Sequence, residues 1–159
     1  MATSVVSSVI DLYNSISATH FGGTRPTIFL GEAAQVTSAG AQQRPPFVVL
    51  YDEGMQPTYD SSNGGIEAGV LRLEVYALKV NDTTGVTVDT IVAGIRWGGS
   101  APGIKAGFDW GTFTLTGYLS KISLKLTKHS TTYAGFNHEG QRVHKCELVY
   151  RVVAGLSAT

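Results

Sequence analysis

The chain has 159 residues, with 12 basic and 12 acidic side chains, 43% hydrophobic residues and one cysteine. That length supports one domain, spanning residues 1–159, with a core of ordinary size. A formal net charge of zero excludes a general electrostatic attraction to nucleic acid or to an acidic membrane, and the lone Cys146 excludes an internal disulfide, which fits synthesis in a cytoplasm.

The elements follow in chain order. In "TSVVSSVIDLYNSIS" the residues Val5, Val6, Val9, Ile10, Tyr13 and Ile16 recur at helical spacing, so a helix is predicted, with Thr3 or Ser4 as its cap. It ends before "HFGG", where paired glycines favour a turn. Met1 to Ala18 lacks the basic start and continuous apolar run of a secretory signal, and no segment reaches the ~18 apolar residues of a membrane span, so the chain reads as soluble. "RPTIFLGEA" is a short strand, and Glu32 to Arg44, poor in large apolar groups, is a surface loop.

"PPFVVLYDEG" is a strand opened by prolines. "MQPTYDSSNGGIEAG" is dense in turn residues and is expected to be a second long loop. Val70 to Val80 alternates, with Leu71, Leu73, Val75 and Ala77 on one face and Arg72 and Glu74 on the other, as a half-exposed strand does. Val88, Ile91, Val92 and Ile95 then share one helical face closed by Gly98 and Gly99. Helix is the favoured reading there; the β-branched run Val86 to Val92 leaves a strand as the alternative.

"SAPGIKAGFDWG" is loop or irregular strand. "TFTLTGYLSKISLKLTK" alternates in two phases, Phe113 and Leu115 against Ile122, Leu124 and Leu126, which implies a bulge or turn near Gly117. "HSTTYAGFNHEGQ" is expected to connect to a last strand, "RVHKCELVYRVV", whose His144, Cys146, Leu148, Tyr150 and Val152 oppose Lys145, Glu147 and Arg151. These two strands are expected to pair as a hairpin. The fold class is therefore α+β: a mostly antiparallel sheet, an N-terminal helix and a second helix packed on one face, and long connecting loops.

Constellations for chemistry are weak. The stretch 72–99 lacks a glycine-rich turn ahead of its helix, as dinucleotide binding needs, and a P-loop lysine. His129, His138, Glu139, His144 and Cys146 do not match a helical or knuckle metal spacing. No G-x-S-x-G turn occurs, and the adjacent Asp52 and Glu53 point to opposite faces of a strand. No catalytic residue, cofactor or metal is predicted. Trp97, Trp110 and Tyr59, with Tyr118 and Phe136, could line a sugar or ligand platform, although aromatics of a sheet protein more often serve as core or interface anchors.

The charges are unevenly distributed. From Tyr51 to Thr90 seven acids face two bases, and from Ile91 to Thr159 eight bases face three acids. Copies meeting acidic side to basic side would use that asymmetry, with Asp52, Glu53, Glu67 and Glu74 of one subunit near Lys121, Lys125, Lys145 and Arg151 of the next.

The series "VVSSVIDLYNSI", "RPPFVVLYDEG", "VLRLEVYALK", "VDTIVAGI" and "HKCELVYRVV", read as helix, strand, strand, helix and strand, resembles the tail terminator or tail completion proteins of tailed bacteriophages. The resemblance implies a non-catalytic virion subunit that assembles as a sixfold ring, caps the tail tube and offers a surface to the head connector. Its partners would be further copies, the tail tube protein and the neck protein, with no membrane and no specific nucleic acid, although DNA would pass through the ring lumen. The segments 32–44 and 100–111 are longer than that family's pattern, which leaves another neck or head-completion protein as an alternative. A carbohydrate-binding module and an enzyme are the competing classes.

Overall fold

The computed structural model describes residues 5–31, 45–54, 56–59, 64–78, 87–98, 112–114, 119–138 and 140–157. Helix α1 spans Val5–Ser15, followed by a single-turn 3-10 helix, Ala18–Phe21. The strands are β1 (Thr27–Leu30), β2 (Phe47–Asp52), β3 (Gln56–Tyr59), β4 (Gly64–Leu78), β5 (Thr112–Thr114), β6 (Leu119–His138) and β7 (Gln141–Ser157), with α2 (Val88–Trp97) between β4 and β5. The expected cap at Thr3 or Ser4, the loop 32–44, the insertion 100–111 and the break near Gly117 lie outside the described residues.

All seven strands join one sheet, in the order β1-β2-β4-β7-β6-β5, with β3 also paired to β4. The β1–β2 pair is parallel and the other pairs are antiparallel. The chain is thus α+β with a mixed, mostly antiparallel sheet. Strands β6 and β7 form the expected hairpin, and β4 pairs along β7 from Gly64 opposite Ser157 to Leu78 opposite Val143.

Period decides which face each residue takes. Val9 and Tyr13 of α1, Ile16 just after it, and Val88, Ile91, Val92 and Ile95 of α2 share one buried cluster with Val48 and Leu50 of β2, Leu71, Leu73, Val75 and Ala77 of β4, and Cys146, Leu148, Tyr150 and Val152 of β7. The helical and alternating patterns therefore meet in the same core, and each large side chain fully buried there contributes about 1.5–3 kcal/mol. Tyr13 also donates a buried hydrogen bond to the Pro26 carbonyl at 2.6 Å and packs on Phe21 with ring centroids 5.5 Å apart. That contact ties α1 to the segment leading into β1.

Helix α2 settles the choice between helix and strand over residues 88–97. Thr87 caps it by accepting from the Thr90 amide, and Gly98 closes it in the left-handed region at φ 47°, its N–H bonded to Gly94 O at 2.9 Å. Gly94 lets the helix approach the 3-10 turn, since a Cβ there would lie 2.7 Å from His20 O and 2.7 Å from Phe21 Cδ1.

Two expected loops are corrected. Residues 56–59 and 64–69, read as part of one long turn-rich connection, form β3 and the first part of β4, because Gly65 pairs with Tyr59 on one side and Leu156 on the other. Residues 129–138, read as a connector, continue β6 to His138. Their pairing with β7 supplies the ladder, and register shifts between Leu126 and Lys128 and between Tyr133 and Asn137 absorb the irregular pattern. Gly135, at φ 92°, sits within the second shift.

Candidate functional site

The face of the sheet opposite the helices carries a polar network around an aromatic patch. Phe47, Val49, Tyr76 and Val143 are buried together there, with Phe47 and Tyr76 stacked at 4.6 Å between ring centroids. Alternation along β4 puts Arg72 and Glu74 on this face with Tyr76, and alternation along β7 puts Lys145, Glu147 and Arg151 there. The strand expected to be half exposed is therefore covered on both faces at Glu74 and Tyr76, each 4% exposed.

Arg72 is the hub. Its Nε lies 2.8 Å from Glu53 Oε1, and its Nη1 lies 3.5 Å from Glu74 Oε2 and 3.9 Å from Glu147 Oε2. The guanidinium also sits 4.4 Å from the Tyr51 ring centroid, a cation–π distance. Lys145 Nζ lies 3.8 Å from Glu74 Oε2, and Lys128 Nζ lies 3.0 Å from Glu147 Oε1. Tyr76 donates to Glu74 Oε1 at 2.7 Å. Burial pushes the Tyr76 pKa above the ordinary tyrosine range, and the hydrogen bond to Glu74 and the charge of that carboxylate add to the shift. Three carboxylates and three cations thus neutralise one another, which is the condition under which a nearly buried Glu74 is tolerated.

The eight residues expected at a subunit interface fall into three groups. Glu74 and Lys145 bind each other within one chain, as do Glu53 and Arg72. Glu67 takes the register position opposite Pro57 and Ala154, and Lys121 the position opposite Thr114 and Gly155. Asp52, at the end of β2, and Lys125 and Arg151, directly opposite each other on β6 and β7, are exposed. Sequence reasoning did not single out Arg72, Lys128, Tyr76 and Glu147 as one unit. Alternation within each strand hinted at their shared face, but only the β4–β7 register joins them.

Of the residues weighed for metal or nucleophilic chemistry, His129 lies on β6 and His144 and Cys146 on the adjacent β7. Cys146 is fully buried among apolar neighbours, and burial raises its pKa, opposed by a hydrogen bond with Thr131. A thiol so placed resists ionisation. Arg96 Nη1 donates to His129 Nδ1 at 3.3 Å on the helix-bearing side. Among the described residues no group of three or more His, Cys, Asp and Glu is placed to hold a metal ion, and no helix is long and apolar enough to cross a membrane. Tyr59 lies in β3 and Trp97 closes α2, whereas Trp110, Tyr118 and Glu139 lie outside the described residues.

No family model matches the chain, and no curated protein matches it.

Proposed function

We propose that the protein is a structural virion subunit, a ring-forming tail terminator or tail completion protein at the head–tail joint of a tailed bacteriophage. The observation that carries this reading is the element order itself: an N-terminal helix, a short parallel strand pair, a long central strand, a second helix and a closing antiparallel hairpin in a single sheet. The helix, strand, strand, helix and strand on which the resemblance rests occur in that order as α1, β2, β4, α2 and β7. Both helices contribute to the core on the same side of the sheet as Leu71, Leu73, Leu148 and Tyr150.

The chemistry of the opposite face supports the same reading. Arg72, Lys128 and Lys145 of that face pair with Glu53, Glu74 and Glu147, and this network stiffens the sheet. A protein that works by shape and self-association needs that rigidity. The ring would act by capping the tail tube with one end and receiving the head connector with the other, inside the virion.

Electron microscopy of the purified full chain at high concentration tests the reading. Closed rings of uniform diameter are expected. Particles of monomer size only, at every concentration, would contradict it.

A further inference from the structure

We infer that Arg96 and His129 form a pH-sensitive latch between the last turn of α2 and the face of β6, closed while the imidazole is neutral and opened when it takes up a proton. The latch is independent of the ring reading. Arg96 Nη1 lies 3.3 Å from His129 Nδ1. A guanidinium has donors and no acceptor, and it stays charged at any pH a folded protein meets. Nδ1 is therefore the acceptor, which places the imidazole proton on Nε2 and makes the ring neutral. A proton on Nδ1 would remove the lone pair that accepts from Arg96 and would set two positive charges against each other.

The pair bridges two elements. Arg96 is the basic residue of the last turn of α2, and His129 follows it by 33 positions. His129 is opposite Leu148 in the β6–β7 register, so it takes the helix-bearing face. Leu148 is fully buried there, whereas His129, one strand further out, is exposed and open to protons from water. Helix α2 packs on β4, β7 and the 3-10 turn, and the Arg96 contact extends its grip to β6.

The surrounding charges leave Arg96 as the deciding one. Asp89, the other charged residue of α2, stands seven positions earlier, about 10 Å along the axis. Toward α2, β4 presents Leu71, Leu73, Val75 and Ala77, and β7 presents His144, Cys146, Leu148 and Tyr150. The 3-10 turn brings His20, and Lys128, next to His129 on β6, has its Nζ 3.0 Å from Glu147 on the other face. Among the described residues no carboxylate pairs with His129. The C-terminal end of a helix carries about half a negative charge, less than the whole positive charge of the guanidinium in contact. A protonated His129 is therefore repelled on balance. Val88, Ile91, Val92 and Ile95 keep α2 on the core, so opening is confined to the last turn, where Gly98 N–H donates to Gly94 O at 2.9 Å.

Amide exchange and imidazole nitrogen NMR of the full chain at about pH 8 and about pH 5, the interval in which histidine changes charge, test this. At the higher pH, His129 is expected to carry its proton on Nε2 with Nδ1 bare. At the lower pH both nitrogens are protonated, and the protection factor of the Gly98 amide, corrected for the intrinsic rate, falls roughly twofold to fivefold, as for an exposed electrostatic contact. The Val92 amide, inside the helix, keeps its protection. His129→Asn and His129→Ala cannot take up the proton and should show no such fall, with the alanine variant low at both pH values. His20 and His144 still titrate in these variants, so their influence is separated. A wild-type Gly98 amide indifferent to pH, an equal fall in His129→Asn, an alanine variant as protected as the wild type at the higher pH, or a proton on Nδ1 there overturns the latch. The wild-type measurements decide alone if a variant does not fold.

Discussion

Gly94 and Tyr13 show how single atoms set the core. Alanine at position 94 would gain about 1 kcal/mol of helix propensity over glycine, yet its Cβ would meet a backbone oxygen at 2.7 Å. His20 O cannot swing aside as a side-chain end would, and overpacking of that kind costs about 1–3 kcal/mol. The second effect wins: Gly94→Ala is expected to lower the melting temperature by about 2–4 °C, and a higher melting temperature would show that the approach of α2 to the 3-10 turn is looser than described. Tyr13 and Tyr76 carry a pH dependence. Burial, the first cause in both, holds their pKa values above the ordinary range, so the folded chain keeps them neutral while the unfolded chain ionises them near pH 10. Their contribution is complete below that pH and is lost as pH rises beyond it. Urea midpoints should fall steeply above about pH 10 and less steeply in Tyr13→Phe with Tyr76→Phe; equal slopes would refute the assignment.

At the level of elements, α2 depends on its ends. The Thr87 hydroxyl accepts from the Thr90 amide at 3.4 Å, a long bond, so Thr87→Ala should cost about 0.5–1 kcal/mol, at the lower end for a cap. A shifted denaturation midpoint with unchanged slope, and faster amide exchange in the first turn of α2, are the expected results. The same helix was legible in the sequence because Val88, Ile91, Val92 and Ile95, its apolar face, are all buried. The faces of the central strands were legible for the matching reason, with Leu71 to Ala77 and Cys146 to Val152 alternating into one core. The strand state of 64–69 was not, since its three glycines carry a turn signal that only pairing on both sides overrides. Nor was that of 129–138, where Ser, Thr and His gave no period and the β7 ladder decides. The Arg72 hub was hidden for another reason: it joins residues some seventy positions apart, and register is a tertiary property.

For the whole molecule, the acidic middle and basic end of the chain resolve into two kinds of charge. Arg72, Lys128 and Lys145 are spent internally against Glu53, Glu74 and Glu147, which stiffens the sheet. Lys125 and Arg151 are exposed opposite each other on β6 and β7, and Asp52 is exposed at the end of β2, where it accepts a hydrogen bond from the Gly54 amide at 3.0 Å. With a formal net charge of zero, the chain has no general electrostatic barrier to association with its own copies. Native mass spectrometry of the purified full chain, taken across a concentration series at low ionic strength, tests this most directly. A closed assembly at a single multiple of the monomer mass is predicted, six by the resemblance; a strict monomer throughout, or an open ladder of ever-longer oligomers, would contradict it.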